Sequence, residues 1–104
     1  MQVQTNTDDT VTGRVELAER VESIVESALD RFRDRITRVE VHLNDENKAK
    51  GGSDDKRCMM EARIKGLEPI AVTHHAGSLI EAIEGAADKL ERAIDNRLGK
   101  LEDR

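Results

Sequence analysis

The chain has 104 residues, of which 37% are apolar and 38% carry a charge, and its formal net charge is −5. This length predicts one domain over residues 1–104, with room for a core but little room for a deep active-site cleft. A net negative charge opposes binding to nucleic acid unless Lys and Arg side chains cluster, because phosphate contacts require local positive charge. Phe32 is the single aromatic residue, which argues against an interface that stacks bases on aromatic side chains.

Cysteine usage and hydropathy bear on the cellular compartment. Cys58 is the single cysteine, so an internal disulfide is excluded and a reducing compartment is favoured. The first nine residues, MQVQTNTDD, are polar and do not have the pattern of a secretory signal. No apolar run approaches the length needed to cross a membrane. We therefore expect a cytoplasmic protein without a membrane partner.

The N-terminal third predicts a short strand followed by a helix. Residues 2–6 are partly β-prone and predict the strand. Side chains able to cap a helix N-terminus follow at Asp8, Asp9, Thr10 and Thr12. Residues 14–35 carry apolar side chains at helical spacing, which predicts the helix. This apolar stripe consists of Leu17, Val21, Ile24, Val25, Ala28, Leu29 and Phe32.

The middle of the chain changes to the period of two that is typical of strands. Strands are predicted over residues 36–44, 57–65 and 70–75, with a flexible loop at 45–55 and a turn at 66–69. The side chains predicted to face the core are Val39, Val41 and Leu43, then Cys58, Met60, Ala62 and Ile64, then Ile70, Val72 and His74. The opposite, open face of the sheet is predicted to carry Arg38, Glu40, His42, Glu61, Arg63, Lys65, Thr73 and His75.

A second helix is predicted from Ser78 to about residue 102. Ser78 and Glu81 have the spacing of a capping box, in which hydroxyl and carboxylate satisfy backbone amides reciprocally. The apolar stripe of this helix is Ile80, Ile83, Ala87, Leu90, Ile94, Leu98 and Leu101. The order β-α-β-β-β-α predicts an α+β fold, in which both helices cover one face of a four-stranded antiparallel sheet.

The charges of the second helix separate to two flanks of its apolar stripe. One flank is acidic and consists of Glu81, Glu84, Asp88, Glu91, Asp95 and Glu102. The other flank is basic and consists of Lys89, Arg97, Lys100 and Arg104, with Arg92 at its margin. Four arginines, Arg31, Arg33, Arg35 and Arg38, also gather where the first helix is predicted to end. A basic ridge on an acidic protein favours one orientation on a polyanion, although a solvated helix surface would have a similar composition.

Two segments resemble the hibernation promoting factor and ribosome-associated inhibitor family. AIEGAADKLER, from Ala82 to Arg92, is similar to the second-helix motif of that family. RFRDRITRVEVHL, from Arg31 to Leu43, is similar to the end of its first helix and the strand that follows. The order of elements also matches, and the chain resembles the short family members. The resemblance implies a fold similar to double-stranded-RNA-binding domains.

The function implied by this resemblance is ribosome hibernation. The partner would be the small ribosomal subunit, both rRNA and ribosomal proteins, with the chain in the decoding region and translation inhibited under stress. No enzymatic activity and no cofactor are implied. Lys89 and Arg92 match basic positions of the family, as does Arg35. The residues expected to contact RNA are Arg20, Arg31, Arg35, Arg38, Arg63, Lys65, Lys89, Arg92, Arg97 and Lys100.

Two other classes of function stay open at this point. The acidic balance, with Val25 and Ala28 where the family has basic residues, favours a diverged protein-interaction module. Such a module would self-associate, as a weak homodimer, or bind another protein, and it would lack strong rRNA binding. An enzyme or metal protein would have to use His74, His75 or Cys58. We expect no metal site, because adjacent residues of a strand point to opposite faces, and we expect no catalytic residue, because no base is placed beside the cysteine.

Overall fold

The computed structural model describes residues 1–8, 11, 13–46 and 55–102, except for the side chains of residues 101 and 102. The elements are β1 (Gln2–Thr7), α1 (Arg14–Ala28), a 3-10 helix (Asp30–Phe32), β2 (Ile36–Asp45), β3 (Lys56–Ile64), β4 (Ile70–Ala76) and α2 (Leu79–Glu102). The order β-α-β-β-β-α and the α+β class are confirmed. Within the loop predicted at 45–55, Asp45 still belongs to β2 and residues 47–54 lie outside the described residues.

The four strands lie side by side in the order β1-β2-β3-β4. β3 is antiparallel to both of its neighbours, but β1 is parallel to β2. The prediction of an antiparallel sheet is therefore wrong at this edge, and the sheet is mixed. The physical reason is the helix between the two strands, since a crossover connection returns the chain to the end from which β1 started.

One face of the sheet is buried beneath the helices. The core-facing side chains predicted on β2 and β3 are all buried, and Ile70 and Ala76 of β4 are buried with them. The pairing of β2 with β3 shifts between Ile36 and Arg38. This bulge places Ile36 on the same face as Val39, three residues later, where strict alternation would have separated them.

α1 is shorter than the helix predicted over residues 14–35. The α-helix ends at Ala28, and Leu29 and Phe32 are buried at the start and the end of a 3-10 turn. In that turn the Phe32 amide donates to the Leu29 carbonyl at 2.9 Å. A spacing of three residues suits both helix types, so the apolar stripe could not distinguish them.

The N-terminus of α1 also differs from the prediction. Its N-cap is Gly13, with φ of 66°, and no side chain caps the helix. Of the predicted capping residues, Asp8 precedes the helix by several residues, and the other three lie outside the described residues.

α2 begins as predicted, at a Ser78 cap. The Ser78 Oγ accepts a hydrogen bond from the Glu81 amide at 3.1 Å. The Glu81 carboxylate accepts from the Ser78 hydroxyl, also at 3.1 Å, rather than from a backbone amide. Neither described helix is long and apolar enough to cross a membrane.

A close approach fixes α2 over β4. Gly85 of the helix lies against the ring of His74, so closely that a Cβ at this position would be 2.7 Å from Cγ of the ring. Real Cβ atoms essentially never show contacts this short. Glycine is therefore required here by the packing of the helix on the strand, and His74 lies on the helix side of the sheet.

Candidate nucleic-acid interface

The ten cations predicted to contact RNA fall into groups that differ in how their charge is engaged. On the open face of the sheet, Arg38 and Arg63 are neutralised by neighbouring carboxylates. Arg38 Nη2 lies 2.8 Å from Glu40 Oε2, and Arg63 lies 3.9 Å from Glu40 and 3.8 Å from Glu61. The four side chains form a network without net charge, so this part of the sheet offers little attraction to a polyanion.

The arginines after α1 are also engaged within the chain. Arg31 bonds to Glu91 and, at 3.3 Å, to Asp95, so it joins the 3-10 turn to the acidic flank of α2. Arg33 lies 3.2 Å from Glu26 and 3.4 Å from Asp30. The hydrogen bond from Arg31 to Glu91 is the main cause of the raised pKa of that guanidinium. The arginine cluster predicted here is thus largely compensated by its own carboxylates.

On α2, two predicted cations also have partners. Arg92 Nη2 donates to Asp88 Oδ2 at 2.7 Å, one turn earlier. Lys89 Nζ donates to the backbone carbonyl of Thr73 in β4 at 3.0 Å. A carbonyl leaves the charge of the Lys89 ammonium uncompensated, whereas Asp88 compensates that of Arg92.

Four of the exposed predicted cations lie at one end of the molecule. Where β2 starts and β3 ends, the Lys65 amide donates to the Arg35 carbonyl at 3.0 Å. Arg35 also lines a cleft with Leu98 of α2, and Arg97 and Lys100 lie on the same last turns of that helix. We call Arg35, Lys65, Arg97 and Lys100 the basic end. Within the described part of the chain, none of these four side chains takes part in an ion pair or a side-chain hydrogen bond.

The cleft at the basic end has a volume of about 360 Å³ and lies between the 3-10 turn and the end of α2. Phe32 is buried in its wall, and the Arg31 guanidinium lies 4.3 Å above the centre of the Phe32 ring. The cleft is open beside Gly99, where a Cβ would meet no atom within 4 Å. Two carboxylates, Asp34 and Asp95, line the cleft beside Arg31 and Arg35. The charges of its lining therefore balance, and the cleft itself does not favour an anion.

Arg20 has an exposed side chain on α1 and stands apart from the basic end. It too has no ion pair among the described residues.

Arg57 of β3 was missed by the sequence reasoning. It lines a cleft of about 210 Å³ with His42 and Asn44 at the other end of the sheet. The period of two that placed Arg63 on the open face also places Arg57 there, so extending that alternation would have found it.

The opposite charge covers the outside of the helices. Exposed carboxylates line both helices, and we call them the acidic helix surface. Its members are Glu16, Glu19, Glu22, Glu81, Glu84 and Asp88. Away from the basic end, the exposed surface of the helices therefore carries more negative than positive charge, although Arg14, Arg20, Lys89 and Arg92 lie among these carboxylates. The side chains of Glu102 and Arg104, assigned to the two flanks from the sequence, lie outside the described residues.

The residues considered for metal binding or catalysis are dispersed. His74 packs on Gly85, while His75 on the open face lies 2.7 Å from Glu46 through its Nε2. Cys58 is fully buried, and burial raises the pKa of its thiol to about 12. Over the described residues, no three His, Cys, Asp or Glu side chains are placed to hold a metal ion.

Comparison with known proteins gives the family. The family model for sigma 54 modulation protein / S30EA ribosomal protein matches residues 10–102, a range that includes both segments noted above. The search of curated proteins found no match.

Two solved structures share the fold. The N-terminal domain of Protein Y from Thermus thermophilus superposes with a TM-score of 0.70 at 21% identity, over 92% of this chain and 98% of that one. A ribosomal subunit interface protein from Coxiella burnetii superposes with a TM-score of 0.62 at 19% identity, over all of both chains. Because the family match spans most of the sequence, the chain belongs to the sigma 54 modulation protein / S30EA ribosomal protein family.

Proposed function

We propose that the chain binds the small ribosomal subunit, occupies its decoding region and inhibits translation under stress. Membership of a family described as S30EA ribosomal protein supports a ribosomal partner. The Coxiella burnetii neighbour is described as a ribosomal subunit interface protein, which favours the same kind of partner. The observation on which the proposal rests is the basic end, a cluster of exposed cations without intramolecular partners on an acidic chain.

The basic end provides the main contact with rRNA. Its four side chains can approach phosphates without first losing an internal ion pair. Arg31, Arg38, Arg63 and Arg92 must exchange a carboxylate for a phosphate, so each gains less on binding. Lys89, whose present partner is a carbonyl, extends the contact, whereas Arg20 on α1 lies outside it. Structured RNA also offers 2′-hydroxyl groups and a shape to recognise, and neither requires aromatic stacking.

The acidic helix surface decides the orientation of the bound protein. Carboxylates on the outside of the helices are repelled by the same phosphates that attract the basic end. The protein then meets rRNA at one end and exposes its helices to solvent or to basic ribosomal proteins. A net charge of −5 is compatible with RNA binding for this reason.

The electrostatic contribution makes rRNA binding dependent on salt. Four cations that neutralise about four phosphates give a slope of about −3.6 in log K against log salt. Between 50 and 200 mM salt the affinity should fall roughly 100-fold. A contact made mainly by apolar surface would change little over this range.

Co-sedimentation with purified small subunits at 50 and 200 mM salt tests the proposal. The variant Arg97→Glu/Lys100→Glu should lose most of its binding at 50 mM. Its matched control is Arg20→Glu/Arg57→Glu, which changes the net charge equally at two residues that lie outside the proposed contact. Far-UV circular dichroism verifies that both variants fold. Equal losses in the two variants would assign binding to net charge alone, and no association of the wild type at 50 mM would exclude a ribosomal partner.

Occupancy of the decoding region and inhibition need separate assays. Messenger RNA and transfer RNA bound to the small subunit should displace the chain. The chain should in turn reduce the yield of a cell-free translation reaction, and Arg97→Glu/Lys100→Glu should do so less. Simultaneous binding of the chain with transfer RNA would place it elsewhere on the subunit.

A further inference from the structure

The two edges of the sheet are protected differently. At the β4 edge, Lys89 reaches from α2 and donates to the Thr73 carbonyl. A lysine held over an edge strand hinders the addition of another strand. At the opposite edge, β1 pairs with β2 on one side. Within the described residues, no side chain outside β1 donates to, or accepts from, its backbone.

β1 also lacks the residues that usually prevent edge pairing. Its sequence QVQTNT has no charge and no proline, in a chain where 38% of the residues are charged. Gln2 and Gln4 pair in register with Arg38 and Glu40 and so lie on the open face, while Val3 pairs with Val39 on the core side. Each face of β1 therefore presents side chains of one kind: amides on the open face, and Val and Thr on the other.

We propose that the β1 edge pairs antiparallel with β1 of a second copy of this chain, so that two four-stranded sheets become one. Antiparallel pairing about a two-fold axis places residues of the same face opposite each other. Amide side chains then meet amide side chains, which both donate and accept, and Val and Thr meet their equivalents. Because β1 is uncharged and matches itself on both faces, a second copy is its occupant rather than a charged peptide.

The salt dependence of this contact has a sign opposite to that of RNA binding. Each copy carries a net charge of −5, so two copies repel each other, and salt screens the repulsion. Hydrogen bonds between uncharged strands change little with ionic strength. The homodimer should be weak at 50 mM salt and stronger at 500 mM, where rRNA binding is lost. Self-association and rRNA binding can therefore be distinguished by their opposite dependence on salt, and either can occur without the other.

Sedimentation equilibrium of the full chain tests the pairing. The average mass of the wild type should rise with concentration from 11.6 kDa towards twice that value. In Gln2→Lys/Gln4→Lys and in Gln2→Glu/Gln4→Glu, like charges meet across the axis and the association constant should fall roughly tenfold. An equimolar mixture of these two variants should associate at least as strongly as the wild type.

The matched control lies on the protected edge of the same open face. Ala71→Lys/Thr73→Lys adds the same charge as the lysine variant but should leave self-association within about twofold of the wild type. A wild type that stays at 11.6 kDa up to about 1 mM overturns the proposal. So does a mixture of the charged variants that associates no better than each alone, or a β4-edge variant that weakens association as much as the β1 variants do.

Discussion

The contact between Gly85 and His74 determines whether Gly85→Ala stabilises or destabilises the protein. In an open helix interior, Gly→Ala stabilises a protein by about 1 kcal/mol, because alanine loses less conformational entropy. Here the new Cβ would lie within contact of three atoms of the His74 ring, 2.7 Å from Cγ. The position of Cγ depends on χ1 alone, so the ring must leave its rotamer and its place against the helix. Overpacking of this kind costs about 1–3 kcal/mol.

The expected outcome is a change of sign with the neighbouring residue. Gly85→Ala should lower the free energy of unfolding of the wild type by about 1 kcal/mol. In a His74→Ala background the obstruction is absent, and the same substitution should raise it by about 1 kcal/mol. The coupling energy of the double-mutant cycle is then about 2 kcal/mol.

Urea unfolding followed by circular dichroism at 222 nm measures all four proteins, because the helices provide the signal in a chain without Trp or Tyr. Gly99→Ala is a suitable reference, since a Cβ there meets no atom within 4 Å. If Gly85→Ala stabilises the wild type as much as Gly99→Ala does, the helix and the strand are not held together through this contact.

Two further predictions concern α2 and the core. Ser78→Ala removes the cap of α2 and should cost about 1 kcal/mol, while Glu81→Gln, which keeps the amide donor to Ser78 Oγ, should cost less in the same urea titration. The Cys58 thiol has a pKa near 12 in the folded chain and 9.0 when exposed. Above pH 9 the unfolded chain therefore loses a proton that the folded chain retains. The free energy of unfolding then falls as the pH rises. From pH 8 to pH 10 the wild type should lose about 1.4 kcal/mol relative to Cys58→Ala, and an unchanged difference would mean that the thiol ionises in the folded state.

The elements were predictable because local patterns determine them. Period-two alternation placed Met60 and Val41 in the core, and the Ser78 cap marked the start of α2. The residues of Gln2–Thr7 suit a parallel or an antiparallel neighbour equally, so the direction of β1 follows only from the helix between β1 and β2 and not from a local pattern. The end of α1 was predicted too late in the chain for a related reason. The spacing of Leu29 and Phe32 suits an α-helix and a 3-10 helix alike.

The candidate site was predictable in composition but not in charge balance. A helical wheel identified the basic flank of α2 and the family resemblance identified Arg35. Whether a cation is compensated depends on contacts between residues far apart in sequence, such as Arg31 with Glu91. No local pattern contains that information. For this reason the sequence could list ten cations, whereas among the described residues the structure separates five that are exposed and without an ion pair or a side-chain hydrogen bond, four of them at the basic end.

The parallel pairing of β1 with β2 has a consequence for the order of folding. β2, β3 and β4 are joined to neighbours that are adjacent in sequence, so their pairing closes short loops. Gln2 meets Arg38 only after the whole of α1 and the 3-10 turn have been traversed, and the entropy of closing that loop must be overcome first. The three antiparallel strands with α2 are therefore expected to form the early nucleus, and β1 to dock last and exchange its amide hydrogens fastest.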